Sequence, residues 1–292
     1  MAVKQLSAGV SGSLSLGGEL SVHRLGFGAM RITGEGIWGP PKNRAEAIAV
    51  LRRMAELDVN FIDTADSYGP GVSEELIAEV LSPYPKNLVI ATKAGWNRPG
   101  PGQWTHDATS AHLRSAVEGS LRRLRIERID LLQLHAPDHL VPFEDSVATL
   151  ARLKNEGKIR LIGLSNVTQE HIARARRITP IASVQNRYSF ADREWDYVVD
   201  YCERNGLAFI PWFPLGAGRV AGQIPDRIVQ THVATPFQIA IAWLLKRSPV
   251  MLPIPGTSSV KHLEENVAAA ALKLTDEEFQ TLSQAPELAA SR

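Results

Sequence analysis

The sequence predicts an α/β fold, a (β/α)8 barrel of the TIM type with an N-terminal β-hairpin and a C-terminal extra helix. Short apolar runs of strand character alternate along the whole chain with segments whose apolar residues recur every three or four positions. The alternation counts eight strands and eight helices, which about 250 residues of barrel accommodate, whereas a doubly wound open sheet usually has fewer strands. No linker divides the chain, so residues 1–292 are expected to form one barrel domain.

The hairpin comes first: Ser13–Gly17 and Glu19–Val22 read as strands around Gly17-Gly18, placed to plug the barrel floor. Barrel strands are expected at Leu25–Gly28, Val59–Asp63, Leu88–Thr92, Ile129–Leu134, Ile159–Leu164, Ala182–Gln185, Leu207–Pro211 and Met251–Pro255. Helices are expected at Arg44–Leu57, Glu74–Leu81, Ala111–Leu124, Glu144–Asn155, Gln169–Ile178, Trp195–Arg204, Pro236–Lys246 and Val260–Ala270. Thr275, with Glu278 three residues on, forms a capping box that opens a last helix through Leu282. The Pro- and Gly-rich stretch Asn97–Gly102 falls between a strand and a helix and reads as a functional βα loop.

Composition narrows the partners. With 32 Lys+Arg against 31 Asp+Glu the net charge is +1, so no broad positive field draws nucleic acid or an anionic membrane surface. No stretch reaches the roughly 18 apolar residues of a membrane span. Cys202, the single cysteine, can form neither an intrachain disulfide nor a thiolate cluster, and a reducing, cytoplasmic setting is expected. His135 and His139 have i, i+4 spacing, but Pro137 lies between them and no third ligand is evident, so no metal site is expected.

In a (β/α)8 barrel the active site is assembled at the C-terminal strand ends, so residues at the end of each apolar run carry the chemistry. They are Asp63 to Tyr68, Thr92-Lys93, Gln133-Leu134-His135, Ser165-Asn166 and Gln185-Asn186. Taken singly, Asp63 reads as a helix cap, Tyr68 as a loop aromatic, Lys93 as a surface lysine and His135 as a core histidine. Together at successive strand ends they form a constellation, because burying such charges unpaired costs on the order of several kcal/mol. A hydride arriving at a carbonyl carbon leaves an alkoxide that needs an acid. A tyrosine, ordinarily near pKa 10, can serve if a neighbouring ammonium lowers it and a carboxylate fixes that ammonium. Tyr68, Lys93 and Asp63 suit those three roles, and His135 suits a hydrogen bond to the carbonyl oxygen. A rival class is a Schiff-base lyase using Lys93 as nucleophile, since barrel lysines at strand ends also serve that role.

Asp63 and Tyr68 in DTADSYG, Lys93 in ATK and His135 in QLH resemble the four-residue signature of the aldo-keto reductases. GLSN at Gly163–Asn166, QNRYS at Gln185–Ser189, WFPLGAG at Trp212–Gly218 and IPGTSSVKHLEEN at Ile254–Asn266 extend the resemblance over nearly the whole chain. The stretch Ala234–Asn266 and GPPKNR at Gly39–Arg44 are similar to the bacterial branch that includes pyridoxal reductases. The resemblance implies NADPH-dependent reduction of an aldehyde or ketone to an alcohol, with Tyr68 as general acid and pyridoxal/pyridoxine interconversion as the leading reaction. Broad-specificity carbonyl detoxification is the alternative, and a non-catalytic NADP-binding regulatory subunit is the alternative of another class.

The family binds its dinucleotide without a Rossmann domain. The one match to that fingerprint, Gly216–Ala221, is followed by Gly222 and Pro225, which interrupt the helix it requires. The resemblance places Gly28, Ala29, Met30 and Asp63 against the cofactor, Ser165, Asn166 and Gln185 on the carboxamide, and Trp212 on the nicotinamide ring. Phe213, Pro214, Leu215, Gly216, Gly218 and Arg219 would wrap the pyrophosphate, with the N–H groups of Leu215, Gly216 and Gly218 as donors. Ile254, Gly256, Thr257, Ser258, Lys261, Glu265 and Asn266 would take the adenosine end. There Thr257, Ser258 and Lys261 at a helix start suit a 2′-phosphate, and Glu265 with Asn266 suits the adenine. Ser258 and His262 stand where many relatives carry a basic residue, so NADP(H) is expected with NAD(H) left open. Met30, Trp38, Tyr68, Trp96, His135 and Phe190, with Ile37 and Trp104 beside them, would wall the substrate pocket, suiting a flat or hydrophobic carbonyl compound. A monomer or weak homo-oligomer is expected.

Overall fold

The computed structural model describes residues 6–284, except for the side chains of Ala217, Arg219, Val220 and Ala221. It opens with the expected hairpin, β1 (Ser13–Leu16) and β2 (Leu20–His23), turning through Gly17 and Gly18 at φ of 58° and 74°. Leu16 and Val22 bury themselves with Phe61, Leu131, Leu161 and Ile210 inside the barrel. A Cβ on Gly17 would lie 2.8 Å from Leu161 Cδ2, so the turn presses directly on the barrel floor.

In chain order the remaining strands are β3 (Phe27–Gly28), β4 (Phe61–Asp63), β5 (Val89–Ala94), β6 (Trp96–Asn97), β7 (Thr105–His106), β8 (Ile129–Leu134), β9 (Ile159–Ser165), β10 (Ser183–Arg187) and β11 (Ala208–Trp212). All but β6 and β7 join one parallel sheet, in the order β11-β10-β9-β8-β5-β4-β3. Sequential order with every strand parallel is what repeated right-handed βα crossovers produce. β6 and β7 form an antiparallel ribbon after β5, on either side of the Pro/Gly-rich loop, which the sequence patterning did not separate from its surroundings.

The eighth strand, expected at Met251–Pro255, is reduced to a bridge between Met251 and Phe209. Pro253 and Pro255 have no N–H to give a ladder. The barrel closes with sparse bonds instead: Leu252 N–H to Phe209 O on one side (2.9 Å) and Gly26 N–H to Pro253 O on the other (2.9 Å).

The helices are α1 (Arg44–Glu56), α2 (Val72–Leu81), α3 (Ser110–Leu124), α4 (Phe143–Asn155), α5 (Gln169–Arg176), α6 (Asp196–Asn205), α7 (Asp226–His232), α8 (Pro236–Arg247), α9 (Val260–Ala268) and α10 (Asp276–Ser283). Their starts follow local chemistry: Asn43 and Thr109 cap α1 and α3, and capping boxes open α5, α8 and α10, the last at Thr275 and Glu278 as expected. The inward faces, such as Val147, Leu150 and Leu153 of α4, pack on Ile162 and Leu164 of β9 to make the layer between sheet and helices. α7, unforeseen, fills the crossover between β11 and α8. Among the described residues no single helix is long and apolar enough to cross a membrane.

Gly28 and Gly256 bring the ends of the first and last barrel segments into contact: a Cβ on Gly28 would lie 2.6 Å from Ile254 O. Backbone cannot yield as a flexible side chain does, so Gly28→Ala is expected to destabilise the fold by about 1–3 kcal/mol. Urea unfolding measures this, and an unchanged midpoint would refute so tight an approach.

Candidate active site

The parallel sheet carries the strand ends to one rim. Asp63 is the last residue of β4, Lys93 lies near the end of β5, His135 directly follows β8, Ser165 ends β9, Gln185 lies in β10 and Trp212 ends β11. Lys93 Nζ donates to Asp63 Oδ1 (2.5 Å), to Thr64 O (2.8 Å) and, more weakly, to Tyr68 Oη (3.4 Å). The other carboxylate oxygen, Asp63 Oδ2, accepts from Gln133 Nε2 (3.0 Å) and Gln185 Nε2 (2.8 Å). Room for the Gln133 side chain comes from Gly163, beside it in the register, where a Cβ would lie 2.9 Å from Gln133 Cγ and 2.3 Å from Ser183 Oγ.

Burial opposes the charge on Lys93, but Asp63 and Tyr68 outweigh it and hold the ammonium above its ordinary value. With its side chain sealed from solvent and charged, Lys93 is a poor amine nucleophile, which removes the support for a Schiff-base lyase. Tyr68 departs from expectation. Burial raises its phenol above 10 and exceeds the lowering by Lys93, so the hydroxyl keeps its proton at neutral pH. His135 is driven well below 6.5 by burial, then by Lys93 and His106, and is neutral; its Nδ1 lies 3.5 Å from Ser67 Oγ.

These groups open on a cavity of about 580 Å3. Of the residues expected at the site, Gly28, Met30, Asp63, Tyr68, Trp96, His135, Ser165, Asn166, Gln185, Trp212, Phe213, Pro214, Leu215, Ile254 and Gly256 line it, joined by Ile37 and Trp104. Asn166 takes the left-handed region at φ 58°, which asparagine tolerates better than most residues. That turn lets Nδ2 donate to His135 O (2.9 Å) while Oδ1 accepts from Trp212 Nε1 (2.9 Å). The wall retains capacity for a carboxamide: among the described residues no protein donor reaches Gln185 Oε1, and the Ser165 hydroxyl, accepting from Asn166 Nδ2 (3.2 Å), keeps its proton to give.

Four expectations need correction. Phe190 is buried in the core against Trp243, with centroids 5.9 Å apart, because the loop after β10 folds inward through a Ser189–Asp192 bridge. Trp38 stands outside the cavity, its backbone paired with Gly69 and its ring facing Arg98. Ala29 is fully buried in the core with residues of α1 and α2. In the loop after β11, the N–H groups of Gly216 and Gly218 already donate to Phe213 O and Leu215 O (2.9 Å each), so they are engaged within a 3-10 turn; the Arg219 side chain lies outside the described residues.

The residues expected at the adenosine end, Thr257, Ser258, Lys261, Glu265 and Asn266, sit beyond the cavity at the start of α9 and along it. Thr257 Oγ1 accepts from Ser259 N–H (3.1 Å), and exposed Lys261 reaches toward Glu265 (3.9 Å). Glu46 of α1 places Oε1 3.0 Å from Val260 N, so a carboxylate of the chain itself occupies that helix start.

Sequence reasoning set Gln133 and Asp66 among the strand-end residues without giving either a role, and it missed Arg31. Gln133, in β8, precedes His135 by two positions, and period-two alternation along the strand could have pointed it toward Asp63. Arg31 lines the cavity mouth, and nothing in the pattern around it singled it out. Asp66, in the DTADSYG segment, has a buried Oδ1 without a hydrogen-bond partner.

Fold and site together define a barrel with a buried Asp63–Lys93–Tyr68 hydrogen-bonded chain at its strand ends and a mainly apolar cavity above it. The chain belongs to the aldo/keto reductase family, whose sequence pattern it matches over residues 24–287. It is 50% identical over 269 residues to an uncharacterised oxidoreductase of Schizosaccharomyces pombe, covering 91% of this chain and 88% of the relative. It is 43% identical over 273 residues to pyridoxine 4-dehydrogenase of Escherichia coli, covering 91% and 95%. An aldo-keto reductase of Klebsiella pneumoniae, solved in complex with NADPH, superposes with a TM-score of 0.80 at 26% identity, over 96% of this chain and 97% of that one.

Burial, and then Glu74, raise Asp66 from 3.8 to about 8. Between those pH values the folded chain holds a proton that the unfolded chain has lost, so this group makes stability fall as pH rises. Asp66→Asn is therefore expected to gain stability over the wild type at pH 8 relative to pH 5. Urea unfolding at both pH values is the measurement, and an equal difference at the two would contradict the assignment.

Proposed function

We propose that the chain is an NADPH-dependent reductase of aldehydes, with pyridoxal as the leading substrate. The observation that carries this reading is the buried Asp63–Lys93–Tyr68 relay opening on a cavity walled by Trp96, Trp104, Trp212 and neutral His135. The NADPH complex of the Klebsiella relative and the activity named for the Escherichia coli relative support it.

Ser165 and Gln185 would hold the cofactor's carboxamide, and Trp212 would pack on the nicotinamide ring. When bound, NADPH supplies the hydride. Tyr68 donates its Oη proton to the carbonyl oxygen as negative charge develops there. Its raised pKa keeps that proton in place until an alkoxide, more basic than a phenolate, takes it. Lys93 then stabilises the phenolate, and Asp63, held by two glutamines, keeps the ammonium aligned. His135, if Ser67 donates to its Nδ1, carries its proton on Nε2 and donates toward the same oxygen. The regulatory-subunit reading is less well supported, because the relay is complete and the cavity in front of it has room for a ligand.

Tyr68→Phe is expected to lower kcat for NADPH oxidation with pyridoxal by about 10²–10⁴-fold while leaving the Kd for NADPH unchanged. A full rate in that variant would overturn the reading, as would a wild-type enzyme inert to pyridoxal and to a wider aldehyde panel. Glu46 sets the second expectation. Its carboxylate holds the helix start that suits a 2′-phosphate, and like charge there disfavours NADPH. Glu46→Gln should raise the ratio of kcat/KM for NADPH over NADH by about tenfold, the worth of about 1.4 kcal/mol. An unchanged ratio would place the 2′-phosphate elsewhere.

A further inference from the structure

Arg98 lies in the Pro/Gly-rich loop between β6 and β7 and ties together three βα loops above the cavity. Its Nη2 donates to Gly36 O (2.9 Å), its Nη1 to Ile37 O (3.0 Å) and Ser67 O (2.9 Å), and its Nε to Gln103 O (2.9 Å). The guanidinium carbon sits 3.7 Å from the Trp104 ring centroid and 5.6 Å from that of Trp38 on the loop after β3. Among the described residues no carboxylate is within ion-pair distance of it. The charge is instead shared among four carbonyls and an indole face, a use of the rigid planar fork that a lysine cannot reproduce.

What Arg98 holds is one wall of the cavity. Ile37 and Trp104 line that cavity, and Trp104 meets Trp96 and His135 edge-on with centroids 5.8 and 6.4 Å apart. The loops are already in contact, since a Cβ on Gly36 would lie 3.4 Å from Gly102 N. Ser67, whose carbonyl Arg98 binds, is also the residue beside His135 Nδ1. We propose that Arg98 is a positioning residue that sets substrate specificity: by fixing Ile37 and the Trp104 ring it builds the wall against which a flat aromatic aldehyde is held at Tyr68. A short aliphatic aldehyde needs Tyr68 but not that wall. This inference rests on the reading of the chain as an aldehyde reductase.

The test compares wild type, Arg98→Ala and Arg98→Lys with NADPH and two substrates, 4-nitrobenzaldehyde and propanal. Arg98→Ala is expected to raise KM for the aromatic aldehyde about tenfold, with kcat moved less than about twofold and the propanal parameters unchanged. Arg98→Lys should recover only a small part of the loss, whereas millimolar guanidinium added to Arg98→Ala should recover more. Equal losses for both aldehydes, or no loss, would overturn the proposal. Acrylamide quenching of the ligand-free proteins gives a readout that needs no turnover. The fluorescence assigned to Trp104, by difference from Trp104→Phe made in each background, should become more accessible in Arg98→Ala. If the wild type reduces neither aldehyde, the functional reading fails while the quenching still decides whether Arg98 fixes Trp104, and unchanged quenching refutes that.

Discussion

Two opposite charges, Asp63 and Lys93, sit 2.5 Å apart almost wholly out of water. Removing either from solvent costs on the order of several kcal/mol, repaid only if the partner is close and the remaining hydrogen-bonding positions are filled. Thr64 O and Tyr68 complete the lysine, and Gln133 and Gln185 complete the carboxylate. That requirement reaches into the sheet. Gln133, Gln185 and Asp63 come from strands of three different βα units, so only the parallel register that brings these ends to one level satisfies the pair. Gly163 must then lack a side chain to leave Gln133 and Ser183 room.

The barrel was legible in the sequence because each strand is a short buried run whose flanks are polar, and each helix shows its apolar face at regular spacing. β8 matches its expected limits, and α3 and α4 differ from theirs by one residue at the start. Met251–Pro255 looked like the other strands by hydrophobicity, and only its prolines betray that it cannot join a ladder. Asp63 and Lys93 were legible because opposite charges at successive strand ends are costly without one another, and the motif resemblance set Tyr68 and His135 beside them. Phe190 and Trp38 were not, since an aromatic residue in a loop has the same sequence signature whether it faces a cavity or the core. The direction of the Tyr68 shift was equally hidden: Lys93 beside it was foreseeable, but the depth of burial that outweighs Lys93 is a property of the assembled barrel.

A chain of net charge +1 that is to bind a polyanion must do so with local groups. Arg31 lines the cavity, and the start of α9 is the other place where such a group would be sought. The second already carries Glu46, which accepts from the half-buried Val260 N–H (3.0 Å). An anion brought to this helix start would have to compete with Glu46 for the same amide.

The two prolines that thin the closing ladder make the join between β3 and the segment after α8 the place where the barrel can part most cheaply, by local opening rather than global unfolding. Ile254 and Gly256 on one side of that join and Gly28 on the other all line the cavity. A molecule that touched both sides and bound only the closed ring would act as a splint, and its occupancy and the protection of the Gly26 amide against solvent exchange would rise together. Proline, which weakens the ring as architecture, leaves its integrity responsive to what the ring contains.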